Sequence, residues 1–253
     1  MGFLSKLFSK KAPRAPWQLP DGILVYAIGD VHGRMDLLLA LMKKIEADLK
    51  QRSDYTTAYL VPLGDYIDRG FQSNEVIEYF AAFQHPILEL IPLVGNHELM
   101  MADFFDNPET GPMWFSVGGM AAANSYGVAV DGDATIEGLE AAAKSLHAAI
   151  PQHHHDFLSR LRLNWQCGDY FFVHAGIRPK VAIEDQRAED MVGIRQDFTL
   201  SDVDHGICVV YGHSGVDNAL IAHNKIALDT GAFATGKLSA VALQGSAQSI
   251  LQT

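Results

Sequence analysis

Cysteine is scarce in this chain: Cys167 and Cys208 are the only two among 253 residues. A disulfide framework is therefore not indicated, which suits a reducing cytoplasm. Cys208 lies inside an apolar run and reads as a small core residue. Charge is sparse as well, at 19% of residues, and it lacks a basic excess. The 19 Lys and Arg stand against 30 Asp and Glu, for a net charge of −11. A general nucleic-acid binder needs a basic face, so this balance argues against nucleic acid as a partner. Acidic groups lining a cation site would be offset locally. Apolar residues, in contrast, make up 48% of the chain, as expected of a globular protein with a large core. One α/β domain over residues 21–253 is the expectation.

Residues 1–20 differ in character from the rest of the chain. Phe3, Leu4, Leu7 and Phe8 could share one helical face, with Lys6, Lys10, Lys11 and Arg14 nearby. A basic amphipathic segment of this kind can lie on an anionic membrane surface. Its apolar part is too short to span a bilayer or to act as a signal peptide. Met1-Gly2 suggests myristoylation, but Lys6 stands where that pattern wants Ser or Thr. The favoured reading is a basic tail followed by a linker containing Pro13, Pro16 and Pro20.

Three strongly apolar runs, at residues 23–28, 58–63 and 87–94, read as buried strands. Each leads into a polar loop: Gly29-Asp30-Val31-His32-Gly33, Asp65-Tyr66-Ile67-Asp68-Arg69-Gly70 and Gly95-Asn96-His97-Glu98. One Asp after a strand is commonly a turn residue or a helix cap. Three successive loops that each offer metal-type donors are hard to explain by turns alone. In open α/β sheets, ligands gather at the carboxyl ends of the strands. Between the first two runs, Leu38, Leu41, Met42, Ile45 and Leu49 mark one face of a helix over residues 34–50. That makes a βαβ unit with parallel strands. Another crossover helix is expected at residues 74–83. Pro62 and Pro92 lack an N–H for the ladder and predict local breaks just before the loops.

Residues 101–165 carry turn signals at Asn107-Pro108, Gly111-Pro112, Gly118-Gly119 and Asp131-Gly132-Asp133. With an Ala-rich helix near residues 136–149, they read as a helical cap inserted over the site. His153-His154-His155 closes it; consecutive side chains diverge on a regular backbone, so this reads as a solvated loop. Strands resume at residues 169–173, ending in His174-Ala175-Gly176, and at 207–211, ending in Gly212-His213-Ser214. Residues 225–228 and 238–243 look like closing strands, joined by a turn-rich stretch at 229–236.

The donors gathered this way are Asp30, His32, Asp65, Asn96, His174 and His213. Six donors with one shared carboxylate suit two ions. Asp30, His32 and Asp65 would hold the first, and Asp65, Asn96, His174 and His213 the second. Mixed oxygen and nitrogen donors without thiolate favour Mn, Fe or Zn. Two such ions about 3.5–4 Å apart generate a hydroxide and clamp the oxygens of an in-line displacement at phosphorus. Arg69 and Arg195 offer bidentate donors for phosphate oxygens. His97 is left over as the acid for the leaving oxygen, with Asp68 to orient its ring.

Together with Gly64-Asp65 and Gly212-His213, these motifs resemble the phosphoprotein phosphatase family of binuclear metallophosphoesterases, and most closely its bacterial and lambda-phage serine/threonine phosphatase branch. The likeness runs from about residue 23 to residue 243 and includes Trp114, Gly118-Gly119, Ser125-Tyr126-Gly127 and Asp229-Thr230-Gly231. It implies a metallophosphatase β-sandwich with flanking helices, the ligand, acid and arginine roles above, manganese as a common activator and a phosphorylated protein or peptide as substrate. Three departures matter. Gly193 stands where related enzymes often have Trp two residues before the second arginine, which loosens the placement of Arg195. His213 is followed by Ser214-Gly215 rather than Thr-Pro. Gly215 also replaces the second His of a diesterase-type ending, which favours phosphomonoesters. The rival reading is a symmetrical dinucleoside polyphosphate hydrolase, with Trp114, Phe115 and Tyr126 as stacking candidates or packing residues. A silent phosphopeptide-binding module is the third; it would be expected to lose ligands or the acid, and none is lost.

Overall fold

The strand that carries the first loop is buried on both faces, and the layers of the molecule are set by it. The computed structural model describes residues 16–131 and 135–253. β1 (Gly22–Ile28) places Leu24, Tyr26 and Ile28 in one core cluster and Val25 and Ala27 in another. This is the two-residue alternation of a strand between two layers. On the first side α1 (Met35–Leu49) packs Leu38, Leu41, Met42, Ile45 and Leu49. β2 (Tyr55–Pro62) pairs with β1 in parallel, α2 (Ser73–Ala81) comes next, and β3 (Leu88–Leu90) adds in parallel to β2.

Helices dominate the next stretch: α3 (Asn96–Asp106), α4 (Gly111–Trp114), a π-helical turn at Phe115–Gly119, α5 (Met120–Ser125), α6 (Ile136–Ala149) and α7 (Gln152–Leu158). They share the core cluster of α1 and α2 through Phe104, Trp114, Leu139, Leu146 and Phe157. The expected cap is thus a packed part of the helical layer. The chain then forms β4 (Asn164–Cys167), β5 (Tyr170–Val173), α8 (Ala188–Gly193), α9 (Gln196–Thr199), β6 (Cys208–Tyr211), β7 (Leu220–Ile221) and β8 (Lys225–Ala227). α10 (Ala232–Thr235), β9 (Ser239–Gln244) and β10 (Ala247–Gln252) complete it.

Sheet one has the order β10-β9-β1-β2-β3 and sheet two β4-β5-β6-β8-β7. The sheets meet through Val25, Ala27, Val61 and Leu63 on one side and Phe172, Val210, Ile226 and Leu228 on the other. Met191, Ile194 and Phe198, around α8 and α9, cover the outer face of sheet two. The architecture is the expected α/β sandwich with flanking helices. β1, β2 and β3 run parallel, as do β5, β6 and β8, so each sheet collects several carboxyl-terminal loops at one end.

Several local expectations are corrected. Of the apolar run 87–94, only three residues form a strand; the break expected at Pro92 is present, with Ile91 N–H and Leu93 N–H still donating to Leu60 and Pro62 carbonyls at 2.9 and 3.0 Å, whereas Pro62 makes no break and stays in β2 opposite Ile28. Asn96, His97 and Glu98 lie in the first turn of a helix rather than in a loop. Trp165, assigned to the cap, belongs to β4 in sheet two. His153-His154-His155 is helical, and His154 is buried. β4, β7 and β10 carry no clear strand pattern in the sequence; each is short or half exposed. The basic tail lies outside the described residues as far as residue 15. The end of the expected linker is packed: Trp17 and Leu19 are buried in the inter-sheet core, and the Trp17 indole N–H donates to the His223 carbonyl at 2.7 Å. Among the described residues no helix is long and apolar enough to cross a membrane.

Candidate metal centre

The loops at the shared edge are strained. Seven described non-glycine residues have left-handed backbone, and five of them are His32, Asp65, Asp68, Arg69 and His213. Each such residue costs about 1–2 kcal/mol, so the surroundings must impose the geometry. Glu98 does much of this. Its buried carboxylate accepts the amides of Asp65, Tyr66 and Gly95 at 2.9, 2.8 and 2.9 Å, which ties the second and third loops together. Val31 and His32 amides donate to the Asp65 carbonyl at 3.1 and 2.9 Å, joining the first loop to the second. The Ser73 hydroxyl accepts the Asp68 amide at 3.0 Å, and the Gly118 carbonyl accepts the Arg69 amide at 3.2 Å. The motif glycines make room for carboxylates. A Cβ at Gly95 would stand 2.1 Å from Asp65 Oδ1, and one at Gly212 2.1 Å from Asp30 Oδ1.

Asp65 stands between two donor groups. Its Oδ2 is 3.6 Å from His32 Nε2 and 3.8 Å from His97 Nε2, and its Oδ1 is 3.4 Å from His174 Nε2. Donor atoms of Asp65, His174 and His213 lie within 4.8 Å of one another, as do those of His32, Asp65 and His97. Asn96 Oδ1 is 3.1 Å from His174 Nε2. Asp30 is buried beside this group, its two oxygens accepting the His213 amide at 3.1 and 3.0 Å. Five of the six expected donors, His32, Asp65, Asn96, His174 and His213, thus come together, and Asp30 lies beside them with its oxygens turned to the His213 amide. His97, expected to be no ligand, also faces Asp65.

The tautomers suit metal ligation. His32 Nδ1 lies 2.8 Å from the Ile67 carbonyl and His174 Nδ1 2.9 Å from that of Leu63. A carbonyl only accepts, so each Nδ1 carries a proton and each Nε2 is turned to the centre; that of His32 presents a lone pair, while that of His174, 3.4 Å from Asp65 Oδ1, carries a second proton that an ion would displace. His32 Nε2 and His213 Nε2 are buried without a hydrogen-bond partner. Burial pushes both rings down to about 3, so they are neutral. Burial also works against charge on His174, but the Asp65 carboxylate, its hydrogen bond and Asp30 outweigh it and hold that ring up to about 10. Burial, then Asp229 and Asp65, drive Asp30 well above the usual carboxylate range. Asp30, Asp65 and Asp229 are buried close together here, which marks a place built for cationic charge. The oxygen and imidazole donors fit divalent first-row ions.

His97 and Asp68 form the second feature. His97 Nδ1 and Asp68 Oδ2 are 2.5 Å apart, and the Trp114 indole N–H donates to the same oxygen at 2.8 Å. Burial disfavours charge on His97, yet the Asp68 hydrogen bond and the Asp65 carboxylate raise its pKa above the ordinary histidine value. Arg69 Nη2 donates to His97 Nε2 at 3.2 Å, and its guanidinium lies 4.7 Å from the Phe233 ring centroid. Arg195 reaches the edge of the centre, with Nη1 3.5 Å from the His213 carbonyl. Gly193 ends α8 two residues earlier.

Four contributors escaped sequence reasoning. Glu98 sits three residues after Gly95, a capping-box spacing that signals a carboxylate turned back on its own helix start. Asp229 comes just after β8 as the recognised donors come after their strands, and it is buried near Asp30 and Asp65. Phe233 and the Trp114 bond to Asp68 had no local signal.

The profile of the calcineurin-like phosphoesterase family matches residues 23–236. A serine/threonine-protein phosphatase 2 of Salmonella typhimurium is 27% identical over 224 residues, spanning 85% of this chain and 90% of the relative. A symmetrical bis(5'-nucleosyl)-tetraphosphatase of Yersinia pestis is 35% identical over 74 residues, 29% of this chain and 22% of the relative. A solved structure provisionally assigned as a diadenosine tetraphosphatase has a TM-score of 0.62 at 17% identity, covering 92% of this chain and 98% of the other. The cold-active protein-tyrosine phosphatase of a Shewanella species has a TM-score of 0.52 at 18% identity, covering 93% and 83%. At such identities the two structures speak for the fold alone.

Proposed function

The chain belongs to the calcineurin-like phosphoesterase family, and from that premise we propose that it is a metal-dependent phosphomonoesterase acting on phosphoserine and phosphothreonine in proteins. What chiefly supports the protein substrate is the match to the Salmonella phosphatase along most of both chains. Asp30, His32 and Asp65 would hold one divalent ion, and Asp65, Asn96, His174 and His213 a second. Manganese is the favoured occupant, and iron or zinc also suit the donors. Such ions, when bound, neutralise phosphate charge and activate a water for attack. The protein's own groups do the rest. Arg69 and Arg195 bind the non-bridging oxygens. Arg69 now donates to His97 Nε2; an arriving phosphate competes for that guanidinium and frees the ring nitrogen to carry a proton. Asp68 holds the opposite nitrogen, and His97 delivers its proton to the departing seryl oxygen.

Dinucleoside polyphosphate hydrolysis is the second reading, resting on the short Yersinia match and on Phe233, a half-exposed ring against Arg69 and His32 that could stack on a base. The aromatic residues of the cap do not favour it. Trp114 and Phe115 are buried, and the Tyr126 hydroxyl is engaged with His154. The test is turnover of phosphopeptides, diadenosine tetraphosphate and a phosphodiester side by side with manganese supplied. Faster turnover of the phosphopeptides is expected. Preference for the dinucleotide would replace the protein-phosphatase reading.

A further inference from the structure

A second cluster of ligand-type side chains stands apart from these loops. His153 and His154 on α7 both place Nε2 against the same oxygen of Glu78 on α2, at 2.6 and 2.8 Å. The three donor atoms lie within 4.8 Å of one another. His154 is only 3% exposed, whereas His153 and Glu78 are each 53% exposed. The remaining nitrogen of His154 is 2.9 Å from the Tyr126 hydroxyl. A hydrogen bond of that kind, behind a ring whose other nitrogen faces outward, is how ligating histidines are fixed in orientation. Glu78 and His154 open on a groove of about 1190 Å³ that is also lined by Asp36, Glu46 and Glu75. Glu75 adds negative charge there, while Asp36 and Glu46 are already engaged by Arg34 and His85.

We propose that Glu78, His153 and His154 form a third metal site, separate from the binuclear centre, for a zinc-like divalent transition ion with water from the groove completing its coordination. Two imidazoles and a carboxylate are an established donor set for such an ion. Around tetrahedral zinc, with bonds of about 2.0–2.1 Å, donors stand roughly 3.3 Å apart. The present hydrogen-bonded contacts of 2.6 and 2.8 Å need to open by about 0.5–0.7 Å to admit it. An ion here joins α2, which begins beside the Asp68 and Arg69 loop, to α7, the last helix before sheet two. Tyr126 brings the end of α5 into the same junction. It would clamp the helical layer from outside.

The test uses the full chain dialysed against buffered zinc, with total metal and thermal midpoint measured for wild type, Glu78→Gln, His153→Ala and Tyr126→Phe. Wild type should hold one zinc equivalent more than Glu78→Gln and His153→Ala, and zinc should raise its midpoint more. Both substitutions are at exposed positions away from the catalytic loops, so both variants should hydrolyse an aryl phosphate at the wild-type rate. Tyr126→Phe should keep the extra equivalent but bind it about 10–100-fold more weakly. The comparison is among variants, so it holds whatever the count at the binuclear centre. Equal metal content and equal zinc-induced shifts in wild type, Glu78→Gln and His153→Ala would overturn the proposal.

Discussion

The two sheets bring unlike chemistry to the same edge. Sheet one supplies Asp30, His32, Asp65, Asp68, Arg69, Asn96 and His97, on two loops and the first turn of α3, which bond to one another and to Glu98. Sheet two supplies His174, His213 and Asp229, each just past a parallel strand. Both histidines are tied to sheet one: the His174 ring by the Leu63 carbonyl, and the His213 backbone amide by Asp30. One half of the centre is organised from within, and the other exists only while the sheets stay packed. Asp65 alone faces histidines of both halves.

Removing the residue that joins the halves should have the largest effect. Asp65→Asn should empty both ion sites and abolish turnover. Metal analysis that found two ions at normal activity would end the bridging assignment. Weakening the packing between sheets comes next. Trp17→Ala deletes a large side chain from the inter-sheet core and should cost about 3–5 kcal/mol in denaturant unfolding. Metal retention should fall alongside, through His174 and His213. A stable variant that kept its metals would show that sheet two holds its ligands independently. A smaller change tests sheet one alone. Trp114→Phe removes one donor from the buried Asp68 carboxylate and should cost about 1.5–3 kcal/mol, with both metals retained. Loss of metal would place Trp114 in the ligand scaffold as well. Smallest of all, deletion of residues 1–15 leaves Trp17 in place and should not alter turnover of a soluble substrate. Loss of binding to anionic vesicles on deletion would revive the membrane-surface reading.

The site was legible where chemistry and chain are adjacent. Asp30, Asp65, His174 and His213 each sit close behind an apolar strand, so the motif and the place in the fold were read together. Contacts far apart in sequence were not legible. Trp17 finds the His223 carbonyl across 206 residues, and Trp114 finds Asp68 across 46. Nothing local announces either. The triple histidine was misread for a different reason. Adjacent helical side chains do diverge, but a carboxylate on α2 stands where both His153 and His154 can bend toward it. The linker was read from its prolines, and these do not prevent Trp17 and Leu19 from burying their side chains. The fold itself was legible from period-two and helical patterns, which survive in any one strand or helix without its neighbours.

The acid role of His97 is the sharpest part of the mechanism, and leaving-group dependence tests it most directly. A general acid helps only when the departing oxygen needs a proton, and it contributes about 10²–10⁴-fold. His97→Asn should slow phosphoserine hydrolysis by that factor and hurt an activated aryl phosphate much less. Asp68→Asn should show the same pattern, and the double variant should be little worse than His97→Asn alone. Equal losses on both substrates, or loss of a metal ion from the His97 variant, would mean that His97 serves as a ligand beside His32 and Asp65 and that the acid lies elsewhere.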